Sequence, residues 1–333
     1  LRLALPSNPD WQELTLAFLG DCGINVRRVN ARRYTGTIPA IPTASVLFQR
    51  AADIPRQIEQ GAVELGLAGL DQFCEAHSTG GDGIALLDDL GFRHADLVIA
   101  VPESWEHITS CADLVALTAD SEKPDKQLRI ATKYPKLTER FLISNKVTEF
   151  TIVESGGTLE AAPAMGYADI IVDITSTGNT LRENQLKPIS GGTVIKSQAC
   201  LIGNLRLLAQ DAEALDGVKT ILEMIEARLR ASEYYSIIAN IKGESSSNVA
   251  SQVQLLPEIA GIEGPTVSQV FSSEGGTAWY AVTMVVQRAK VMKAVDHLRS
   301  IGGTGVTVSP TTYVFEAECR AYQRLLRALN QYS

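Results

Sequence analysis

Short β-branched runs alternate with helical patterns through the first two-thirds of this sequence, and that rhythm restricts the fold more than any other feature. Strand–helix–strand repetition builds a largely parallel sheet covered by helices, the α/β arrangement. RLALP (2–6) reads as a strand, and the helical pattern from Asp10 closes at Gly23. VLFQR (46–50) follows as a strand, DIPRQIEQG (53–61) as a helix closed by Gly61, and LGLAGL (65–70) as a strand. After ADLVIAVP (95–102) and a polar loop, TADSEKPDKQ (118–127), a second set begins. It comprises the strand LRIAT (128–132), a helix over KLTERFLISN (136–145), the strand FTIVE (150–154), a helix over TLEAAPAMG (158–166) and the strand DIIVDI (169–174). Two such sets predict two lobes, with VIKSQACLIGN (194–204) as a strand returning the chain to the first. A ligand then sits in the cleft, outside the carboxyl ends of the strands.

The last third changes rhythm. YSIIANI, SSNVASQVQLL, PTVSQVF, AWYAVTMVV, KVMKAVDHLRSIG and GVTVSP spell βαββαβ, the split ferredoxin-like order. A helix over residues 211–231 leads into it, and another over EAECRAYQRLLRAL (316–329) follows. The expected division is residues 1–92 with 196–215 as lobe I, 93–195 as lobe II, 216–231 as a connecting helix and 232–333 as a C-terminal domain with an extra helix.

A length of 333 residues suits several domains, and no apolar run is long enough to span a bilayer. The first residues are strand-like and show no signal-peptide pattern, so a cytoplasmic protein is expected, or a plastid one if a transit peptide was removed. A net charge of −8 argues against a nucleic-acid partner, whose phosphates need a basic face, but leaves room for a small anion in a local pocket. Five scattered cysteines without a C-x-x-C pair, and four histidines without ligand spacing, argue against a disulfide framework or a transition-metal site.

The stretch IVDITSTGNTLREN (171–184) carries the strongest chemical signal. Gly178 permits close backbone approach, Ser176, Thr177 and Thr180 supply hydroxyls, and a helix begins at once. Free N–H groups at a helix start favour an anion, so the loop suits a phosphate; the same residues also make an ordinary capped helix start. Asp169 and Asp173 stand four apart on one strand face, where a cation, a magnesium-bearing ligand or exposure relieves their burial cost. In ESGGTLEAAP, Gly156-Gly157 is read as opening a helix with Glu160 in its first turn, either a capping charge or a cleft carboxylate. Arg50 and Asp71 follow strands, where cleft residues belong, and Asp53 is expected as a helix cap.

These segments, in this order, resemble the ATP phosphoribosyltransferase family, long form and plant-like branch. LRLALP, FQRAADIPRQIEQGAVELGLAGLD, LRIATKYPKL, GTLEAAPAMGYADIIVDITSTGNTLREN, SQACLIGN, GPTVSQVF and LRSIGGTGVTVSP carry the resemblance over nearly the whole chain. It implies a two-lobed catalytic unit like type II periplasmic binding proteins, plus a C-terminal ferredoxin-like, ACT-like regulatory domain. It implies joining N1 of ATP's adenine to C1 of 5-phosphoribosyl 1-pyrophosphate, with Mg²⁺, as the first step of histidine biosynthesis. By the same resemblance Thr175, Ser176, Thr177, Gly178, Asn179 and Thr180 hold the 5-phosphate and Asp173 faces the ribose. Glu160, Asp71 and Arg50 line the nucleotide and pyrophosphate region, and Tyr134 packs near a base. Asp169 and Asp173 are the acids nearest a metal held mostly through ligand phosphates. Histidine is implied as effector, near Asn240, Thr266 and Ser268, in a hexamer built from dimers, or a dimer.

Two departures stand out. The family has a Lys-Gly-Arg-like loop after the first strand, where this chain has Ser7-Asn8-Pro9-Asp10, and Asp10 with Glu13 looks like a helix-capping pair. Arg93-His94 occupy a stretch that is small and polar in the family. Weaker pyrophosphate binding or a reoriented first loop is therefore expected. The rival readings are a catalytically weak member acting as a ligand sensor and a two-lobed small-anion binding protein.

Overall fold

A computed structural model describes residues 1–30, 33–119, 127–154, 158–271 and 278–332. Gly156 and Gly157 lie outside the described residues, as does most of the polar 118–127 loop. Two compact units divide the chain: Leu1–Gly20 with Ile24–Thr220 and Arg324–Ser333, and Asp21–Gly23 with Ile221–Gln323.

The first unit contains two sheets. The chain begins β1 (Arg2–Pro6), α1 (Pro9–Asp21), β2 (Thr35–Thr37), β3 (Ser45–Gln49), α2 (Ile54–Glu59), β4 (Leu65–Gly69), α3 (Leu70–Ala76) and β5 (Gly83–Leu87). It continues β6 (Ala95–Pro102), α4 (Cys111–Ala119), β7 (Leu128–Thr132), α5 (Pro135–Ser144), β8 (Phe150–Glu154), α6 (Ala162–Met165), β9 (Ile170–Thr175), α7 (Asn179–Glu183), β10 (Leu186–Ser197) and β11 (Ala199–Asn204). Among the described residues the sheet orders are β2-β3-β1-β4-β11-β5 and β10-β6-β9-β7-β8. The chain thus crosses between sheets at residues 88–94 and again at Gln198.

Period-two alternation explains how the second sheet is covered on both faces. Leu97, Ile99 and Val101 with Ile130, Ile170 and Val172 pack against Leu137 and Leu142 of α5. The intervening Val98, Ala100, Ala131 and Ile171 pack on the other face against Leu159, Ala162 and Leu181. Each fully buried Leu or Ile contributes roughly 1.5–3 kcal/mol of transfer free energy. Asp173 continues the phase of Ile171, so it leaves the sheet on the Leu159–Leu181 face. In the first sheet every residue of β4 is buried, which is why LGLAG is apolar without alternation.

Three expectations need correction. TLEAAPAMG does not form one helix: a 3₁₀ turn over Leu159–Ala161 gives way to α6, with Pro163 in its opening turn, where a missing N–H costs nothing. VIKSQACLIGN is two strands broken at Gln198, and β10 starts well before it, at Leu186. Pro188 and Gly191-Gly192 disguise that start; an irregular edge strand with register shifts tolerates them. Asp53 occupies the N-cap position of α2 but makes no side-chain cap bond.

Two helices, α8 (Leu205–Gln210) and α9 (Ala212–Ala231), precede the second pattern. It runs β12 (Tyr234–Lys242), α10 (Ser246–Gln254), β13 (Thr266–Val270), β14 (Trp279–Gln287), α11 (Val291–Ser300) and β15 (Thr304–Pro310), before α12 (Arg320–Tyr332). The sheet order β13-β14-β12-β15 is ferredoxin-like, with all pairs antiparallel. Ile237, Ala239 and Ile241 of β12 bury with Val249, Val253, Ala294 and Leu298 of the two helices. Asn240 therefore stands on the opposite face, in one cross-strand row with Ala281 and Ser268, while Thr266 pairs Thr283 one step along.

Candidate active site

The loop after β9 is built as its sequence requires. Gly178 takes a left-handed φ of 73° and occupies the N-cap position of α7, a conformation that a side chain with a Cβ disfavours. Its N–H donates to Thr175 Oγ1 at 3.0 Å, so Thr175 is spent on the turn itself. Ser176, Thr177, Asn179 and Thr180 remain exposed. Together residues 174–180 form one wall of a cavity of about 430 Å³, within the roughly 300–1,000 Å³ range of small-molecule pockets.

The facing wall comes from the first sheet and its crossings: Trp11 and Leu14 of α1, Gly69, Asp71 and Gln72, Arg93 to Ala95, Ser197 and Gln198, with Tyr134 between the lobes. Asp71 is 6% exposed and needs partners for its carboxylate. Ser197 Oγ donates to Oδ1 at 2.5 Å, and Tyr134 Oη donates to Oδ2 at 2.5 Å. The Asp71 N–H in turn donates to Ser197 Oγ at 3.0 Å. A Cβ at position 69 would stand 2.4 Å from Asp71 Oδ1, so any larger residue there would displace this carboxylate. Burial, and then the neighbouring Asp71 charge, push the Tyr134 phenol well above its ordinary range. A second tie lies nearby: the N–H groups of Lys136 and Leu137 donate to Glu75 of α3 at 3.0 and 2.9 Å, capping α5 across the lobes.

Asp173, at the end of β9, accepts from the Ile174 N–H at 2.8 Å. Burial raises its pKa and the Glu160 charge adds to that, while the Ile174 hydrogen bond and Lys133 oppose it. Neither Asp173 nor Glu160 is among the residues lining the cavity. Asp169 stands elsewhere. Its carboxylate accepts from the Arg129 N–H at 2.8 Å and Nη2 at 2.9 Å, at the opposite end of β9. Four residues of strand span about 13 Å, so Asp169 and Asp173 do not hold one cation between them. Among the described residues no group of three or more His, Cys, Asp or Glu side chains is arranged to hold a metal ion.

Arg50 is exposed, at the N-cap of the 3₁₀ turn Ala51–Asp53, and does not line the cavity. The first loop is locked locally: Ser7 N–H donates to Gln49 C=O at 2.6 Å and Ala51 N–H to Asn8 Oδ1 at 3.2 Å. Helix α1 starts at Pro9, which puts Asp10 inside the first turn instead of at the cap. Sequence reasoning missed Trp11, Gln72, Ser197 and Gln198. The signal for the last two was present, since they stand where the return strand breaks between sheets.

Comparison with known proteins agrees over the whole length. The ATP phosphoribosyltransferase profile matches residues 50–227, and the HisG C-terminal domain profile matches residues 231–313. The chain is 38% identical over 334 residues to ATP phosphoribosyltransferase 2, chloroplastic, of Arabidopsis thaliana, covering 99% of this chain and 80% of that protein. It is 34% identical over 331 residues to the ATP phosphoribosyltransferase of Bradyrhizobium sp. strain ORS 278, covering 98% and 97%. In fold it is similar to a chain of the ATP phosphoribosyl transferase (HisG:HisZ) complex from Thermotoga maritima, with a TM-score of 0.50 at 24% identity, over 68% of this chain and 98% of that one. Profiles over both parts of the chain and full-length relatives place it in the ATP phosphoribosyltransferase family.

Proposed function

We propose that this chain condenses ATP with 5-phosphoribosyl 1-pyrophosphate to N1-(5-phosphoribosyl)-ATP and pyrophosphate, the first step of histidine biosynthesis, in the cleft just described. The observation that carries this reading is the exposed hydroxyl loop, opened by a left-handed Gly178, on the same cavity as the buried Asp71–Tyr134 pair. Ser176, Thr177, Asn179 and Thr180 would take the 5-phosphate through hydroxyl, amide and backbone donors, without a cation. The nucleotide would lie towards Tyr134 and Asp71, where one acid and one phenol fix the two lobes.

Adenine N1 forms the bond to C1 as the C1–oxygen bond to pyrophosphate breaks, and the electron pair leaves with the pyrophosphate. Charge developing at C1 is stabilised by the carboxylates of Asp173 and Glu160. Orientation and electrostatics supply the rate, and no covalent nucleophile is required. Among the described residues no set of donors forms a metal cage, so Mg²⁺ is counted with the polyphosphate substrates and no step is assigned to it. Arg50 is proposed only as an outlying contact, given its exposure.

In the C-terminal unit, the row through Asn240 and Ser268, with Thr266 beside it, is the proposed place for histidine as effector. A homo-oligomer, a hexamer built from dimers or a dimer, is the proposed assembly. Lobe I is assigned to residues 1–92 and 196–215, lobe II to 93–195 and regulation to 232–323; residues 324–333, expected with the C-terminal domain, group with the first unit instead. No helix of the described residues is long and apolar enough to cross a membrane; cytoplasm or plastid stroma is the proposed location. The test is steady-state kinetics with each substrate varied in turn. Thr177→Val is expected to raise the KM for the phosphoribosyl donor roughly tenfold and leave that for ATP within about twofold. An unchanged donor KM overturns the assignment of the loop.

A further inference from the structure

The cleft is short of positive charge. Both proposed substrates are polyanions, yet among the described residues lining the cavity Arg93 alone carries a permanent positive charge, and Asp71 adds a negative one. Arg93 belongs to the 88–94 crossing between β5 and β6, and its backbone is left-handed, φ 61°. A residue with a Cβ adopts that conformation at a cost, so the surroundings must hold it. They do so at several points. Its guanidinium carbon lies over the Trp11 ring, 4.7 Å from the centroid, a cation–π contact. Phe92 packs on Phe18 with ring centroids 5.0 Å apart, so two consecutive side chains fix the crossing against α1. The other crossing pins it as well: Leu90 N–H donates to Ala199 C=O at 2.9 Å, and Ala199 N–H to Phe92 C=O at 3.1 Å.

Stacking on an indole engages the face of a guanidinium and leaves its N–H edge to meet oxygens. That edge is a planar fork suited to bidentate recognition of phosphate. We propose that Arg93, aligned by Trp11, binds the pyrophosphate group of the phosphoribosyl donor and the pyrophosphate released from it. This rests on the reading that residues 176–180 take the 5-phosphate: the loop of the second lobe holds one anionic end of the donor, and Arg93 the other. When the C1–oxygen bond breaks, the electron pair remains on the pyrophosphate oxygen, and the guanidinium stabilises that charge. Trp11 is then a positioning residue.

The test uses the full chain and two probes, inorganic pyrophosphate in titration calorimetry and the donor in kinetics, both with Mg²⁺. Arg93→Gly removes the guanidinium and also relieves the left-handed φ. The expected result is a rise of roughly 10- to 100-fold in pyrophosphate Kd and donor KM, an ATP KM within about twofold, and a Tm unchanged or higher. Arg93→Lys should recover part of the loss. Trp11→Leu should raise donor KM by about 2- to 5-fold and add nothing on top of Arg93→Gly. Pyrophosphate and donor binding unchanged in Arg93→Gly overturns the proposal, and so does an equal loss for ATP accompanied by a fall in Tm. Arg93-dependent pyrophosphate binding by a chain that makes no product would leave this anion site standing and remove the reaction proposed above.

Discussion

Replacing Tyr134 by Phe removes one oxygen from a buried contact between the lobes and little else. In the native chain Tyr134 Oη lies 2.5 Å from Asp71 Oδ2, and Ser197 Oγ satisfies the other carboxylate oxygen. A hydrogen bond to a charged group contributes about 1.5–3 kcal/mol. Since Tyr134 is only partly buried and Ser197 remains, the lower half of that range is expected, about 1.5–2 kcal/mol. Each kcal/mol corresponds to about 2–4 °C in Tm for a domain of this size. Denaturant unfolding of Tyr134→Phe, Asp71→Asn and the double variant should give a coupling near 1 kcal/mol or more. The pH dependence supplies a separate check. The folded phenol is raised above its unfolded value, about 10. Its stabilising contribution is therefore whole below about pH 10 and lost as pH climbs through the folded pKa. Tyr134→Phe should flatten that alkaline slope, leaving the part due to Tyr332, whose phenol is raised by its hydrogen bond to Asp82. A cost below about 0.5 kcal/mol with no coupling, or an unchanged alkaline slope, would refute the reasoning.

Three other perturbations discriminate between roles. Asp173→Asn should lower turnover by about 100-fold or more while raising Tm at neutral pH. Burial raises the Asp173 pKa, so the folded state loses stability as pH rises from the unfolded value through the folded one, and the amide removes that loss. Gly178→Ala meets no atom within 4 Å, so circular dichroism melts should show only the left-handed strain of about 1–2 kcal/mol, with donor KM rising more than ATP KM. Asp169→Asn should lower Tm through its Arg129 contacts and leave kcat/KM for both substrates within about twofold; a large catalytic loss would return Asp169 to the metal.

Most strands were legible because their cause is local. ADLVIAVP, LRIAT and FTIVE coincide with β6, β7 and β8, and in β6 and β7 alternating residues feed two cores. What stayed hidden depends on distant partners. Pro188 and Gly191 look like breakers, yet they sit on an edge strand whose irregular pairing with β6 absorbs them. The three-residue β2 holds its place by pairing with β3 and by a bridge from Thr37 to Arg27, partners that its own three residues do not announce. At the site, the hydroxyl loop was readable because Gly178 and its neighbours are consecutive. The Asp71–Tyr134–Ser197 cluster joins residues 63 and 126 positions apart, so only the fold reveals it. Four-residue spacing suggested Asp169 and Asp173 as a pair, but the strand that puts them on one face also holds them about 13 Å apart.

The most direct measurement is pyrophosphate release by the full chain with ATP and 5-phosphoribosyl 1-pyrophosphate supplied singly and together. The account predicts release only with both, equal in amount to phosphoribosyl-ATP, and lost in Asp173→Asn. Release from the donor alone, or none with both substrates bound, would contradict it.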